Sequence, residues 1–284
     1  YIGTVNTSIG SKYNTFRKIE ANMQMSTSTS SVGVATGIML GAIGTNFTDT
    51  IASVSYNTFE DIKIEDFGAI GVYLVGASDT NPDTGNKITA TTGRNFIGNV
   101  NLSGTSGVTT AHGIFAYKQK DLTIEKTDVG NISISTFGGG NTSGINLNSI
   151  DAPTFANQGE IIVRNNRIYN IKQNPIQTSP ASTSGVTTGI LMNRVGTGST
   201  VTIMGNEIYN IESNMPGSST KVNGILCNAG TSNSIIEVAI TNNVISDLKS
   251  SNSISSVTTV NGIEVKSPTG GGSNIKLAHN TILV

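Results

Sequence analysis

Apolar and polar positions in this chain follow a motif that recurs along its whole length. It is plainest in Val201-Thr-Ile-Met-Gly-Asn206-Glu-Ile208-Tyr-Asn-Ile211, in Ile161-Ile-Val163-Arg-Asn-Asn166-Arg-Ile168-Tyr-Asn-Ile171, and in Val238-Ala-Ile240-Thr-Asn-Asn243-Val-Ile245-Ser-Asp-Leu248. Each stretch reads apolar, any, apolar, two polar, Asn, any, apolar, two polar, apolar. Alternation at period two on both sides of the Asn predicts two short strands, each with one buried face, joined at a tight corner. With the Asn as anchor, the series extends to Asn14, Asn57, Asn95, Thr127 and Asn280, at a mean spacing of 38 residues. Two residues after the anchors stand Phe16, Phe59, Ile97, Val129, Ile168, Ile208, Ile245 and Ile282, all apolar.

A second landmark lies between anchors: Gly37-Ile38, Gly71-Val72, Gly113-Ile114, Gly144-Ile145, Gly189-Ile190, Gly224-Ile225 and Gly262-Ile263. Each opens a short alternating segment, so every repeat holds about three strands, separated by stretches of free length rich in Ser, Thr, Gly and Pro that read as loops. One such repeat cannot bury its apolar side alone, whereas stacked repeats continue every strand into a parallel sheet along an axis. The expected architecture is an all-β solenoid, a right-handed parallel β-helix of about eight rungs filling residues 1–284 as one domain. No proline-rich or charged linker divides the chain.

The anchors are expected to serve as corner residues, since Asn tolerates φ > 0. Their stacked amides are expected to bond along the axis as a ladder through Asn14, Asn57, Asn95, Asn166, Asn206, Asn243 and Asn280. A second ladder is expected four residues on, at Asn99, Asn131, Asn170 and Asn210, with Asp61 and Asp247 in flanking copies. Turn and ladder account for these asparagines more economically than sugar or metal binding.

Composition narrows the picture further. Thr 37, Gly 33, Asn 32 and Ser 32 make up nearly half of 284 residues, while charged residues are 12% and aromatics 5%. Basic and acidic groups balance at 17 and 18, for a net charge of -1, which leaves no cationic surplus for nucleic acid or an anionic membrane. No apolar run reaches the ~18 residues of a membrane span. One cysteine supplies neither a disulfide nor a multi-cysteine metal site. The chain opens with Tyr-Ile-Gly rather than a secretion leader, as a mature product or a piece of a longer protein would.

On the motif Asn-Asn166-Arg-Ile168-Tyr-Asn-Ile171 followed by Gly189-Ile190, the whole chain resembles the right-handed parallel β-helix, pectin-lyase-like repeat superfamily. Its texture is closest to noncatalytic bacterial surface repeat proteins exported by the type nine secretion pathway. The resemblance implies architecture strongly and function weakly, because the same superfamily holds polysaccharide lyases and hydrolases.

Candidate chemistry is sparse. Glycoside cleavage needs paired carboxyls, and the acidic groups are thinly spread. Glu60, Asp61, Glu65 and Asp66 around Lys63 read as surface charge, and Asp79, Asn81 and Asp83 form a weak candidate calcium turn. No cofactor motif occurs. His112 and His279 are expected to be solvated, and Cys227 to be a buried core thiol. Met39, Tyr73, Phe115, Leu191 and Leu226 fall on one outward row, either a contact stripe or, as favoured here, a strip covered by loops. Asp49-Thr50-Ile51 resembles a short O-glycan acceptor. The expected function is a noncatalytic adhesive or structural segment of an extracellular bacterial fibre, its partners being neighbouring repeats or copies end to end and a glycan or other surface ligand. The alternative is a polysaccharide-processing or carbohydrate-binding β-helix.

Overall fold

A computed structural model describes residues 12–24, 36–41, 54–76, 82–102, 110–136, 140–147, 158–175, 185–193, 198–215, 220–228, 237–250, 259–266 and 274–283. These residues form three parallel sheets that the chain visits in turn, coil after coil, as a three-sided parallel β-helix of about eight rungs. One rung runs through the strands Gln158–Arg164, Arg167–Pro175 and Val186–Asn193, and the next through Thr200–Met204, Glu207–Ser213 and Lys221–Asn228. We number the sheets I, II and III in that order.

Register places like residues over like. Ile168 pairs with Ile208 and Ile208 with Ile245 in sheet II, while Ile145, Ile190, Ile225 and Ile263 stack in sheet III. The inward columns are closed to solvent from Phe59 to Ile245 and form one continuous core. Each such isoleucine contributes about 1.5–3 kcal/mol by leaving water.

The glycine landmarks have a packing cause. A Cβ on Gly189 would lie 2.5 Å from Ile208 Cγ2 and 2.7 Å from the Gly224 carbonyl oxygen; on Gly144 it would lie 2.3 Å from Ile168 Cγ2. The same collision with a β-branched partner recurs at Gly37, Gly71, Gly113, Gly224 and Gly262. Sheet III therefore approaches sheet II so closely that only hydrogen fits between its backbone and the isoleucine column.

Two expectations about the asparagines are corrected. First, the anchors do not supply the left-handed turn. That conformation belongs to the residue before the anchor at Tyr13, Tyr56, Lys126, Asn165, Gly205, Asn242 and His279, with φ between 51 and 64°, and for Asn95 to Gly93, two residues before it, with φ of 95°. The anchor can then aim its amide inward. Second, the anchors form two ladders, not one. Asn14, Asn57 and Asn86 stand at the corner leading into sheet I, where the Asn14 and Asn57 amide N–H groups donate to Asn57 and Asn86 Oδ1 at 3.1 and 3.0 Å. From Asn95 onward the ladder occupies the corner between sheets I and II, and its column in the earlier rungs is held by Ile62 and Ile19. Phe16 and Phe59 accordingly stack on Ile88 in sheet I, while Ile97 stacks on Ile64 in sheet II.

Within the longer ladder each Asn makes the same bonds. Asn206 Oδ1 accepts from Asn166 N and Asn166 Nδ2, both at 3.0 Å, while Asn206 Nδ2 donates to the Val163 carbonyl at 3.0 Å and to Asn243 Oδ1 at 2.9 Å. Thr127 takes one place in the column: its hydroxyl accepts from Asn95 Nδ2 and donates to the Glu125 carbonyl. A chain that turns a corner leaves a backbone N–H without a strand partner, and the amide one rung away satisfies it.

Candidate functional site

The second ladder lines a shallow concavity on sheet II. Asn99, Asn131, Asn170 and Asn210 themselves adopt φ of 55, 56, 53 and 54°, which bends each strand outward-in and creates a groove along the axis. Asn131 Nδ2 donates to Asn99 Oδ1 at 2.9 Å, Asn170 to Asn131 at 2.7 Å and Asn210 to Asn170 at 2.5 Å. At the lower end Asn99 Nδ2 donates to Glu65 Oε1 at 2.6 Å. Asp66, beside Glu65 and opposite Asn99, holds the place in this column expected for Asp61. The opposite wall is Asn101, Ser133 and Lys172, and the groove is open to solvent, with a volume of about 460 Å³. Lys172 is tied to Glu212 at 3.1 Å, so the groove carries paired charge only. An amide has two N–H donors and two acceptor sites, and the ladder consumes one of each per level. What remains is a file of neutral donors and acceptors at the strand spacing of ~4.8 Å.

Several acidic residues elsewhere are held in ion pairs between rungs. Glu125 bridges Lys87 on one neighbouring rung at 2.9 Å and Arg164 on the other at 2.7 Å, and it also accepts from the Thr89 hydroxyl. Partial burial would raise its pKa, but those three donors outweigh it and hold the carboxyl down to about 2. Asp128 sits between Arg94 and Arg167, and Glu60 against Arg17. Asp61 is capped by the backbone N–H of Thr92 and the hydroxyl of Thr91, which lower its pKa to about 2. Among the described residues no cluster of His, Cys, Asp and Glu could hold a metal. Of the candidate calcium turn, Asp79 and Asn81 lie outside the described residues. Asp83 is buried, accepts the Val54 N–H at 2.8 Å, and is pushed up to about 7 by desolvation. The Asp49-Thr50-Ile51 motif likewise lies outside the described residues.

The outward row of sheet III is not uniform. Leu191 and Leu226 are buried, at 1% and 5% exposure, whereas Met39, Tyr73 and Phe115 are half-buried. Tyr73 and Phe115 meet edge to face, and Tyr117 and His112 join the same cluster. His112 is not solvated as its polar neighbours suggested. It is 4% exposed, its Nδ1 lies 2.8 Å from Ser143 Oγ, and burial drives its pKa down to about 3. Ser143 is itself buried, at 1% exposure. His279 is exposed. Cys227 is buried in the core column with Met192, and desolvation pushes its thiol up to about 12. Tyr169 and Tyr209 stack at 5.3 Å with an 8° interplanar angle beside the groove asparagines.

Sequence reasoning identified the amides of the groove but not its concavity, because four near-identical bends must stack before a groove exists. Compared with family models, with curated proteins and with solved structures, the chain matches none. No helix among the described residues is long and apolar enough to cross a membrane.

Proposed function

We propose that this chain is a noncatalytic, stiff segment of an extracellular bacterial surface fibre or adhesin. Within the parallel β-helices we place it with the right-handed, pectin-lyase-like superfamily, nearest to the repeat proteins of the type nine secretion pathway. The observation that carries the reading is the fate of its carboxylates. Glycoside hydrolysis asks for two free carboxyls facing one substrate, and here Glu60, Glu125, Asp128, Glu212 and Glu264 each face a cation on an adjacent rung. Charges spent this way stitch rungs together and are unsuited to acid–base work.

Rod geometry supports the same reading: the three parallel sheets stack about eight rungs with like residues over like, a quasi-one-dimensional build suited to a stiff spacer. Electron microscopy of native material tests this: long filaments about one β-helix wide are expected, and compact isolated particles would overturn the fibre reading. Incubation with pectic and neutral polysaccharides, followed for new reducing ends and for unsaturated products, tests the lyase or hydrolase alternative. No turnover is expected; sustained turnover would establish an enzyme instead.

A further inference from the structure

The geometry points to the asparagine groove of sheet II as a binding track for a neutral, β-linked oligosaccharide. The inference rests on the adhesive part of the function proposed above and gives it a site and a ligand class. The site is complete within four successive rungs, independent of how far the rod extends.

Three features select the ligand. The first is periodicity: Asn99, Asn131, Asn170 and Asn210 offer one unused N–H and one unused acceptor per level, every ~4.8 Å. That interval is close to the advance per sugar of an extended chain with equatorial β-linkages, so successive hydroxyls can meet successive amides. An α-1,4-linked glucan coils away from such a straight file, and an α-1,4-linked galacturonan, though extended, brings a carboxylate with every sugar. The second is charge. Lys172 is neutralised by Glu212 and Glu65 by Lys63, so an acidic glycan or a phosphate gains no ion pair, whereas neutral hydroxyls pair well with amides. The third is the backbone. The strand at the groove centre, Thr127–Thr136, is already paired on both sides, with Asn95–Leu102 and with Arg167–Pro175. A peptide therefore has no open edge to join by strand addition. The wall facing the amides adds Asn101 and Ser133, both able to hydrogen-bond hydroxyls.

The test uses the 284-residue chain and reads the side-chain amide resonances of the groove by NMR. Cellohexaose, xylohexaose and chitohexaose are titrated separately, with maltohexaose and a hexagalacturonate as counter-probes. Saturable shifts of the Asn131 and Asn170 amides with at least one β-linked neutral chain, and at least tenfold weaker effects with both counter-probes, are expected. Ser133→Trp fills the groove, removing the long bond from Asn174 Nδ2 to Ser133 Oγ at 3.4 Å but none of the bonds of the groove ladder, and should weaken binding at least tenfold with little change in melting temperature. If that variant melts early, Asn101→Trp closes the same groove from the neighbouring rung and takes its place. Shifts with none of the β-linked chains, equal or stronger shifts with hexagalacturonate or maltohexaose, or undiminished binding by the filled groove would each overturn the proposal. Failure here leaves filaments intact, while loss of the fibre reading appears in microscopy and not in this titration.

Discussion

At the corner leading into sheet I, the first three rungs carry Asn14, Asn57 and Asn86, and the next corner in the first two is apolar, with Ile19 and Ile62. From the fourth rung on the arrangement is reversed. Leu122, Ile161, Val201, Val238 and Ile275 fill the first corner, while Thr127, Asn166, Asn206, Asn243 and Asn280 fill the second. The third rung has an amide at both, Asn86 and Asn95. Either corner can host the ladder, because either one frees a backbone N–H that a stacked amide can satisfy. What each column requires is continuity, since an amide buried without its neighbour costs about 1–3 kcal/mol.

The strongest way to break this comparison is to remove one amide from each ladder. Asn206→Leu strips partners from Asn166 N, Asn166 Nδ2 and the Val163 carbonyl, all buried, and should cost about 4 kcal/mol. Asn57→Leu strips the buried Ser55 carbonyl of a donor but otherwise removes an acceptor only from Asn14, which is partly buried, keeps its bond to the Lys12 carbonyl and can be compensated by water, so about 2 kcal/mol is expected. Chemical denaturation of the two variants checks the difference; equal losses would mean that solvent access does not separate the two ends.

The glycine column does not switch between regions. Gly37→Ala would place Cβ 2.3 Å from Ile64 Cγ2, and Gly189→Ala 2.5 Å from Ile208 Cγ2. Both should lose about 2–3 kcal/mol, and a tolerant Gly37 in the same measurement would show that sheets II and III part at the N-terminal end.

Asp83 and His112 stand where the two regions meet, and they give opposite pH dependences. Asp83, raised to about 7, keeps in the folded state a proton that the unfolded chain releases near ~3.9, so its contribution falls as pH rises from ~4 to 7. His112, lowered to about 3, refuses in the folded state a proton that the unfolded chain takes up below ~6.5, so its contribution falls as pH drops from ~6.5 to 3. Between pH ~4 and ~6.5 the two slopes, each at most about 1.4 kcal/mol per pH unit, oppose each other. Melting temperature should be nearly flat there for the unaltered chain. It should fall with decreasing pH in Asp83→Asn and with increasing pH in His112→Gln; parallel profiles in the two variants would refute the opposition. Below pH ~4 the stabilisation from Asp61 and Glu125, both lowered to about 2, is lost as well.

The smallest effect concerns the aromatic stacks. Tyr169 on Tyr209 and Tyr13 on Tyr56 are both near parallel, at 8° and 3°. Tyr13 is 75% exposed, so Tyr209→Ala should cost about 1 kcal/mol and Tyr13→Ala about half of that. Thermal melts of the pair decide whether burial, rather than ring geometry, sets the value.

Much of the fold was legible in the sequence for a local reason. The glycine landmarks and the isoleucines that stack after Asn166, Asn206 and Asn243 follow from alternation within a strand and from near-equal spacing between copies. The register of the first rungs was not legible. Asn14-Thr-Phe16 and Asn57-Thr-Phe59 have the same local grammar as Asn166-Arg-Ile168, and that grammar marks a corner without saying which of the three it is. Burial of His112 was also hidden, because its neighbours in the repeat are ordinary polar residues and only packing against Phe115 and Ser143 removes it from water.

The amino-acid order thus determined the repeat, the strand faces and the residue types at corners and close approaches, since each depends on neighbours a few positions away. The tertiary structure decided which corner each amide occupies, which carboxylates face a cation and where stacked bends open a groove. Those depend on residues about one coil apart, between 29 and 43 positions along the chain for the bonded anchors, and no local pattern carries that distance.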